Sequence, residues 1–242
     1  MGTLDRDSDA LSTFVFLTIS GYAFYLALAV AFYAIFFVWK RERFVPGYVP
    51  DWPSNRRALR LALASIAGNA LLTTPIHLLI ANGHSQIYDD VDSHGVAWML
   101  ASILLVLVVT ETLVYWAHRL LHLRCFYRWL HVHHHRFRKV TPFVAVAFHP
   151  LDSFAQAIPH HLCAFIMPLH VSVYLGSLAM VMLWSVVIHN RVGFTRNWAV
   201  NDTLHHDAHH WFNKYNLGQY TTFWDRLCGT YRDPRAMAEM PR

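Results

Sequence analysis

The sequence predicts an all-α integral membrane protein with three transmembrane helices plus a short helical hairpin and a His-rich helical cap. Three observations predict it. Of 242 residues, 55% are apolar, 15% aromatic and only 14% charged, a balance too apolar for an ordinary soluble domain. Several stretches reach or pass the ~20 residues a bilayer core requires with almost no charge. Histidine occurs 18 times, and ten of these form two dense groups, at 118–135 and 205–210, that lie outside those stretches.

Residues 12–39 run without a charged side chain and end at Lys40, Arg41 and Arg43, which gives the first span. Pro46, Pro50 and Pro53 mark an extended link to a second span over 58–80, which carries Asn69, Pro75 and His77. The link 81–95 holds Asp89, Asp90 and Asp92. A third span follows over 96–117, with Glu111 inside it and Tyr115-Trp116 at the end where aromatic rings suit the membrane interface.

Charge sets the orientation. The N-tail nets −2 and 81–95 nets −3, while 40–60 nets +4 and 118–139 nets +6. By the positive-inside rule, 40–60 and everything from His118 face the cytoplasm. Three spans agree with that alternation. The acidic N-terminus (Asp5, Asp7, Asp9) does not resemble a cleavable signal peptide. The location expected is a multi-pass protein of a bacterial inner membrane or endoplasmic reticulum.

The apolar stretch 154–188 has to return. A single crossing would put the two histidine groups on opposite faces of the membrane. Its 35 residues are fewer than the ~40 of two full spans, so a short hairpin over 155–168 and 171–188 is expected, turning at Pro168-Leu169-His170. The chain then reads as one membrane domain: spans in 1–117, a first cap segment 118–153, the hairpin 154–188 and a second cap segment 189–242. Cys125, Cys163 and Cys228 are odd in number and form no C-x-x-C, so free thiols are expected.

Histidine spacing carries the chemistry. His118 and His122 are four apart; His131, His134 and His135, and again His206, His209 and His210, are related by three and four. On helices such pairs share a face and aim ring nitrogens at one ion. Eight imidazoles exceed one tetrahedral ion and suit two ions, each with four or five ligands and an open position. Imidazole alone does not choose between Zn, Fe, Cu and Ni. His133 and His205 sit one residue off the pattern. His77, His84, His94 and His170 read as packing or interface residues, and His160-His161 as structural or as lining a substrate mouth. A metal transporter, the rival class, would place ligands mid-span, whereas these histidines lie at span ends or beyond.

The boxes His118-Arg119-Leu120-Leu121-His122, His131-Val132-His133-His134-His135 and His206-Asp207-Ala208-His209-His210 resemble those of the fatty acid hydroxylase/sterol desaturase superfamily. Three flanking stretches resemble its sterol C-5 desaturase branch: T-P-F-V-A-V-A-F-H-P-L-D from Thr141, W-S-V-V-I-H-N from Trp184, and N-K-Y-N-L-G-Q-Y-T-T-F-W-D-R-L from Asn213. The resemblance covers about residues 110–234 and departs at Asp207, where that branch usually has threonine.

The resemblance implies a dinuclear site of two iron ions, with O2 as co-substrate. Zinc, above Fe²⁺ in affinity, can replace iron in a purified sample. It implies nine or ten ligands: the eight box histidines, His189 as the ninth and His149 as a tenth or as a residue orienting a ligand. Asp152, Asp202 and Asp207 are candidate carboxylates behind the ligands. The implied activity is O2-dependent desaturation of a sterol, or hydroxylation of a sterol, fatty acyl chain or carotenoid on the same centre. No nucleotide fingerprint is present. Electrons are therefore expected from a partner such as cytochrome b5 or ferredoxin with its NAD(P)H reductase. The other partners expected are membrane lipid and no nucleic acid.

Overall fold

The structure, a computed structural model, describes residues 9–195 and 197–236; the acidic N-tail ahead of Asp9 lies outside them. Helix α1 (Ala10–Phe32) starts where the Asp9 carboxylate accepts Ser12 N–H at 2.7 Å. It runs on as a π-helical turn, Tyr33–Trp39, that stops at Lys40. Helix α2 (Trp52–Ala81) begins six residues before the expected 58, because Asp51 caps it and Pro53 fits a first turn, where no N–H is needed. Helix α3 (Gly95–Leu121) continues straight into the first histidine box.

Helix α4 (Pro150–Ile166) and helix α5 (Val171–Ile188) make the returning pair. The first arm begins at Pro150 rather than near 155, since His149 caps it and proline opens it. The turn between the arms meets the 81–95 link. There β1 (Ile87–Tyr88) pairs in parallel with β2 (Leu169–His170), and Trp98 Nε1 donates to Pro168 O. Both arms therefore have their far ends at that link and their near ends at the histidines. Among the described residues, four helices are long and apolar enough to cross a membrane: 10–39, 52–81, 95–121 and 171–188, the last being the second arm of the returning pair. Helix α4, at 17 residues, is too short to join that set, and Asp152, Gln156, His160 and His161 interrupt its apolar run.

Small residues set the packing. Ala58, Ala62, Ser65 and Ala70 line the buried face of α2, which lets Tyr25 and Ala29 of α1 approach closely. Gly68 does the same for α4: a Cβ there would stand 2.5 Å from Pro150 Cβ. The segment 137–147 threads between these helices, with Tyr25 Oη donating to Phe143 O and Ser185 Oγ to Ala145 O. On α3, Ser102, Val106, Thr110, Val114 and His118 recur every four residues on the buried face. Leu100, Leu104 and Val108 stay exposed on the opposite side, as a lipid-facing helix requires. The three cysteines are free thiols.

Candidate metal centre

The last turn of α3 presents His118 and His122. A π-helical turn (Tyr127–His131) followed by one α-turn (Val132–His135) presents the second box. His189 is the first residue beyond α5. Helix α6 (Thr203–Phe212) presents the third box, after Asp202 accepts the N–H groups of Leu204 and His205 at its N-terminus.

Nine of the ten expected histidines converge into two groups. His118, His122, His131, His135 and His209 form one; His134, His189, His206 and His210 form the other. In each group the ligand nitrogens all lie within 4.8 Å of one another. The division does not follow the boxes. Each i, i+4 pair (118/122, 131/135 and 206/210) stays in one group, while the histidine between, 134 or 209, crosses to the other. Neighbouring helix positions point about 100° apart, so consecutive histidines reach into adjacent sites. The groups touch: the His135 and His210 rings are 4.9 Å apart and those of His131 and His134 5.6 Å.

Proton placement shows that these residues fit a cation. His118 Nδ1–H donates to Leu217 O at 2.9 Å and His131 Nδ1–H to the Asp152 carboxylate at 2.7 Å. His209 Nδ1–H donates to Tyr215 O and His189 Nδ1–H to Ser185 O. A carbonyl or carboxylate accepts only, so each Nδ1 carries the ring's proton and each Nε2 is a bare lone pair. Yet the Nε2 atoms of His118 and His131 lie 3.1 Å apart, those of His122 and His209 3.2 Å, and those of His189 and His206 2.9 Å.

Burial pushes His122, His134, His135, His206, His209 and His210 below the ordinary imidazole range, and His189 down to about 4. Protonation therefore does not relieve the His122–His209 and His189–His206 approaches at neutral pH. An ion with metal–nitrogen bonds of about 2.1 Å sets neighbouring ligand nitrogens about 3.0–3.4 Å apart, close to the 2.9–3.2 Å separations found. His135 makes no hydrogen bond through either nitrogen, consistent with one being reserved for an ion.

The remaining expected residues divide. Asp152, fully buried, accepts from His131 through Oδ2 and from Gln156 through Oδ1 at 2.7 Å each, and so stands directly behind the first group. The Asp202 carboxylate hydrogen-bonds no ring of either group; it caps α6 and accepts from His205 Nδ1 at 2.8 Å, while the Asp202 backbone carbonyl accepts His206 N–H at 3.1 Å. Asp207 has a buried Oδ1 without a hydrogen bond, and burial raises its carboxyl to about 7. His149 lies outside both groups, because its Nδ1 accepts Leu151 N–H to cap α4; its ring sits 6.0 Å from that of His133. His161 pairs with Tyr174 Oη, His77 packs on His161, His94 on Tyr88, and His170 caps α5.

The backbone carbonyls of Ser185, Tyr215 and Leu217, which orient three of the nine rings, carry no sequence signal. What positions two of them is a turn after α6. Asn213 and Asn216 adopt left-handed backbone at φ 58°. Buried Asp225 accepts Leu217 N–H and Gly218 N–H at 2.8 Å each. Glu111 of α3 accepts Tyr220 N–H, Thr221 N–H and Thr221 Oγ1–H. A Cβ at Gly218 would collide with the Thr221 carbonyl oxygen. Gly218→Ala is thus expected to cost about 1–3 kcal/mol, the usual range for overpacking, and to loosen Leu217 O from His118. Thermal unfolding and bound metal measured together check this, and both should fall.

The sequence profile of the fatty acid hydroxylase family matches residues 103–230. Over 228 residues the chain is 39% identical to the Delta(7)-sterol 5(6)-desaturase ERG3 of Saccharomyces cerevisiae, covering 93% of this chain and 61% of that protein. It is 37% identical over 240 residues to the Delta(7)-sterol 5(6)-desaturase erg32 of Schizosaccharomyces pombe, covering 96% and 71%. Over 233 residues it is 34% identical to the lathosterol oxidase of Homo sapiens, covering 93% and 76%. The chain thus spans between about three fifths and three quarters of these relatives. No solved structure matches.

Proposed function

The chain belongs to the fatty acid hydroxylase family, and we propose that it is a membrane oxidoreductase introducing the C-5(6) double bond of a sterol with O2 and two electrons from outside. The observation that carries this reading is the pair of adjacent, buried all-histidine groups in a chain whose relatives are sterol 5(6)-desaturases. In the overall change the sterol loses two hydrogens from neighbouring carbons. O2, two electrons and two protons complete two waters.

We assign His118, His122, His131, His135 and His209 to one iron ion and His134, His189, His206 and His210 to the other. Iron bound there supplies O2 activation and removal of hydrogen from an unactivated C–H bond. The protein does the rest. Carbonyls of Ser185, Tyr215 and Leu217 and the Asp152 carboxylate hold four rings in the tautomer that offers Nε2. The Phe148 ring, stacked 4.1 Å from that of His134, helps keep water from the second group. With four histidines against five, that group would leave an ion bound there the more accessible to O2. His149 serves as a helix cap beside the centre rather than as a ligand.

A sterol would come from the bilayer beside the apolar 142–168 segment. The basic run Arg124, Arg128, Arg136, Arg138 and Lys139, with no acid among residues 118–139, suits an acidic electron donor such as cytochrome b5 or a ferredoxin on the cytoplasmic side. The test is product analysis. Incubation in lipid with a Δ7-sterol, NADPH and a reductase system should give, by mass spectrometry, a diene two hydrogens lighter than the substrate. An alcohol as the sole product would reassign the chain as a hydroxylase on the same centre.

A further inference from the structure

The rim of the cap made by Trp198 and helix α7 (Phe223–Leu227) is explained neither by the metal centre nor by the helix core. Helix α3 fixes its depth. Trp98 and Trp116 lie 18 residues apart on that helix, about 27 Å at 1.5 Å per residue, close to the ~30 Å hydrocarbon core. Tryptophan at both ends of such a helix marks the two membrane interfaces.

Helix α7 packs on α3 at the inner mark and below it. Trp224 Nε1 donates to Thr112 Oγ1 at 3.2 Å, and the Trp224 ring lies 5.9 Å from those of both Tyr115 and Trp116. Thr112 is one turn deeper than Trp116. If α3 crosses the bilayer, α7 lies within the cytoplasmic leaflet rather than above it.

The exposed side of α7 fits that depth. Phe223 is 60% exposed, Leu227 65% and Trp198 63%. They flank a groove of about 600 Å³ whose other walls are Ala199, Thr221, Thr222 and Arg226. Three large apolar side chains open to water around one groove need a cover. The apolar surface continues past exposed Trp116 and Leu120 to Leu123, Phe126 and Trp129.

Charge identifies the cover. Arginines stack on the exposed aromatic rings: Arg226 lies 4.6 Å from Trp198, Arg119 5.5 Å from Trp116 and Arg128 5.1 Å from Trp129. The nearby acids, Glu111 and Asp225, are buried and occupied by backbone N–H groups. Arg226 also lies 3.7 Å from the Tyr231 ring and donates Nε–H to Thr222 Oγ1 at 3.1 Å. Apolar side chains beside guanidinium groups without a carboxylate partner among the described residues are what the phosphate layer of a leaflet accommodates. We propose that this rim is inserted in the cytoplasmic leaflet and that its groove holds a phospholipid, with an acyl chain between Trp198 and Leu227 and the phosphate on Arg226.

The inference rests on α3 crossing the membrane, and the experiment separates the two. Nitroxides are placed at Phe223→Cys, Leu227→Cys, Leu104→Cys and Lys214→Cys, in a Cys125→Ser/Cys228→Ser background. The full chain, checked for bound metal, is reconstituted in phospholipid nanodiscs. Collision with oxygen and with a water-soluble nickel chelate is then measured. Leu104, mid-helix on the exposed face, should be oxygen-accessible and Lys214 chelate-accessible. Positions 223 and 227 should follow Leu104, at a shallower depth.

If 223 and 227 follow Lys214 while Leu104 stays in lipid, the rim lies in water and the proposal fails while α3 still crosses. If they are shielded from both reagents, a protein partner or second copy covers the rim and the proposal again fails. Chelate access at Leu104 would remove α3 from the membrane and overturn both. In detergent, phosphatidylserine should raise the melting temperature, inorganic phosphate at equal concentration should not, and Arg226→Gln should at least halve the rise. An equal rise in Arg226→Gln would overturn the assignment of the phosphate to Arg226.

Discussion

His134→Ala and His209→Ala should each reduce turnover by more than the ~100-fold typical of losing a partner behind a metal ligand, and each should lower bound metal. The two substitutions act on different groups. His209 belongs to the five-histidine group and His134 to the four-histidine group, although each sits in a box that mainly serves the other. His84→Ala and His94→Ala, in the link at the opposite end of the helices, should leave turnover and metal content intact. Metal analysis of all four variants beside the parent decides the assignment. Equal losses in both sets would dissolve it.

Asp152→Ala should lower metal affinity and turnover by about 10–100-fold, the usual cost of removing the group that orients a ligating imidazole. The carboxylate has two tasks: one oxygen holds the proton of His131, and the other takes the Gln156 amide. Alanine frees His131 to change tautomer and leaves a buried ring N–H without an acceptor. Gln156→Ala removes only the outer hydrogen bond and should cost less. Metal Kd from chelator competition, set beside kcat, distinguishes this positioning role from loss of fold, which would also lower the melting temperature.

The sequence made the helical content legible because lipid demands long, charge-free runs, and these were visible around Phe14, Leu63 and Leu104. It also exposed the histidine spacing, since ligands on one helix must recur every three or four residues. Three things were harder to see. Helix α4 begins at Pro150 because His149 is a cap, but a histidine before proline and aspartate reads equally well as a ligand. The sharing of boxes between groups was hidden because 3.6-residue periodicity puts His131, His134 and His135 on one broad face, and only tertiary packing splits that face in two. The carbonyls of Tyr215 and Leu217 act through backbone that any side chain would provide. Their placement depends on Asn213, Asn216 and Asp225, which read as ordinary turn and structural residues.

The crossing of His134 and His209 has a consequence for assembly. Had each box served one ion, either site could be filled, emptied or repaired alone. Here the second and third boxes are each divided between both sites, so an ion entering one fixes backbone that the other needs. On the proposed ligand assignment the centre would behave as a woven joint: the first ion would bear most of the ordering cost, and the second would find its ligands already in place. Two-ion occupancy would then be favoured over half-filled chains, and loss of either ion would slacken the whole cap.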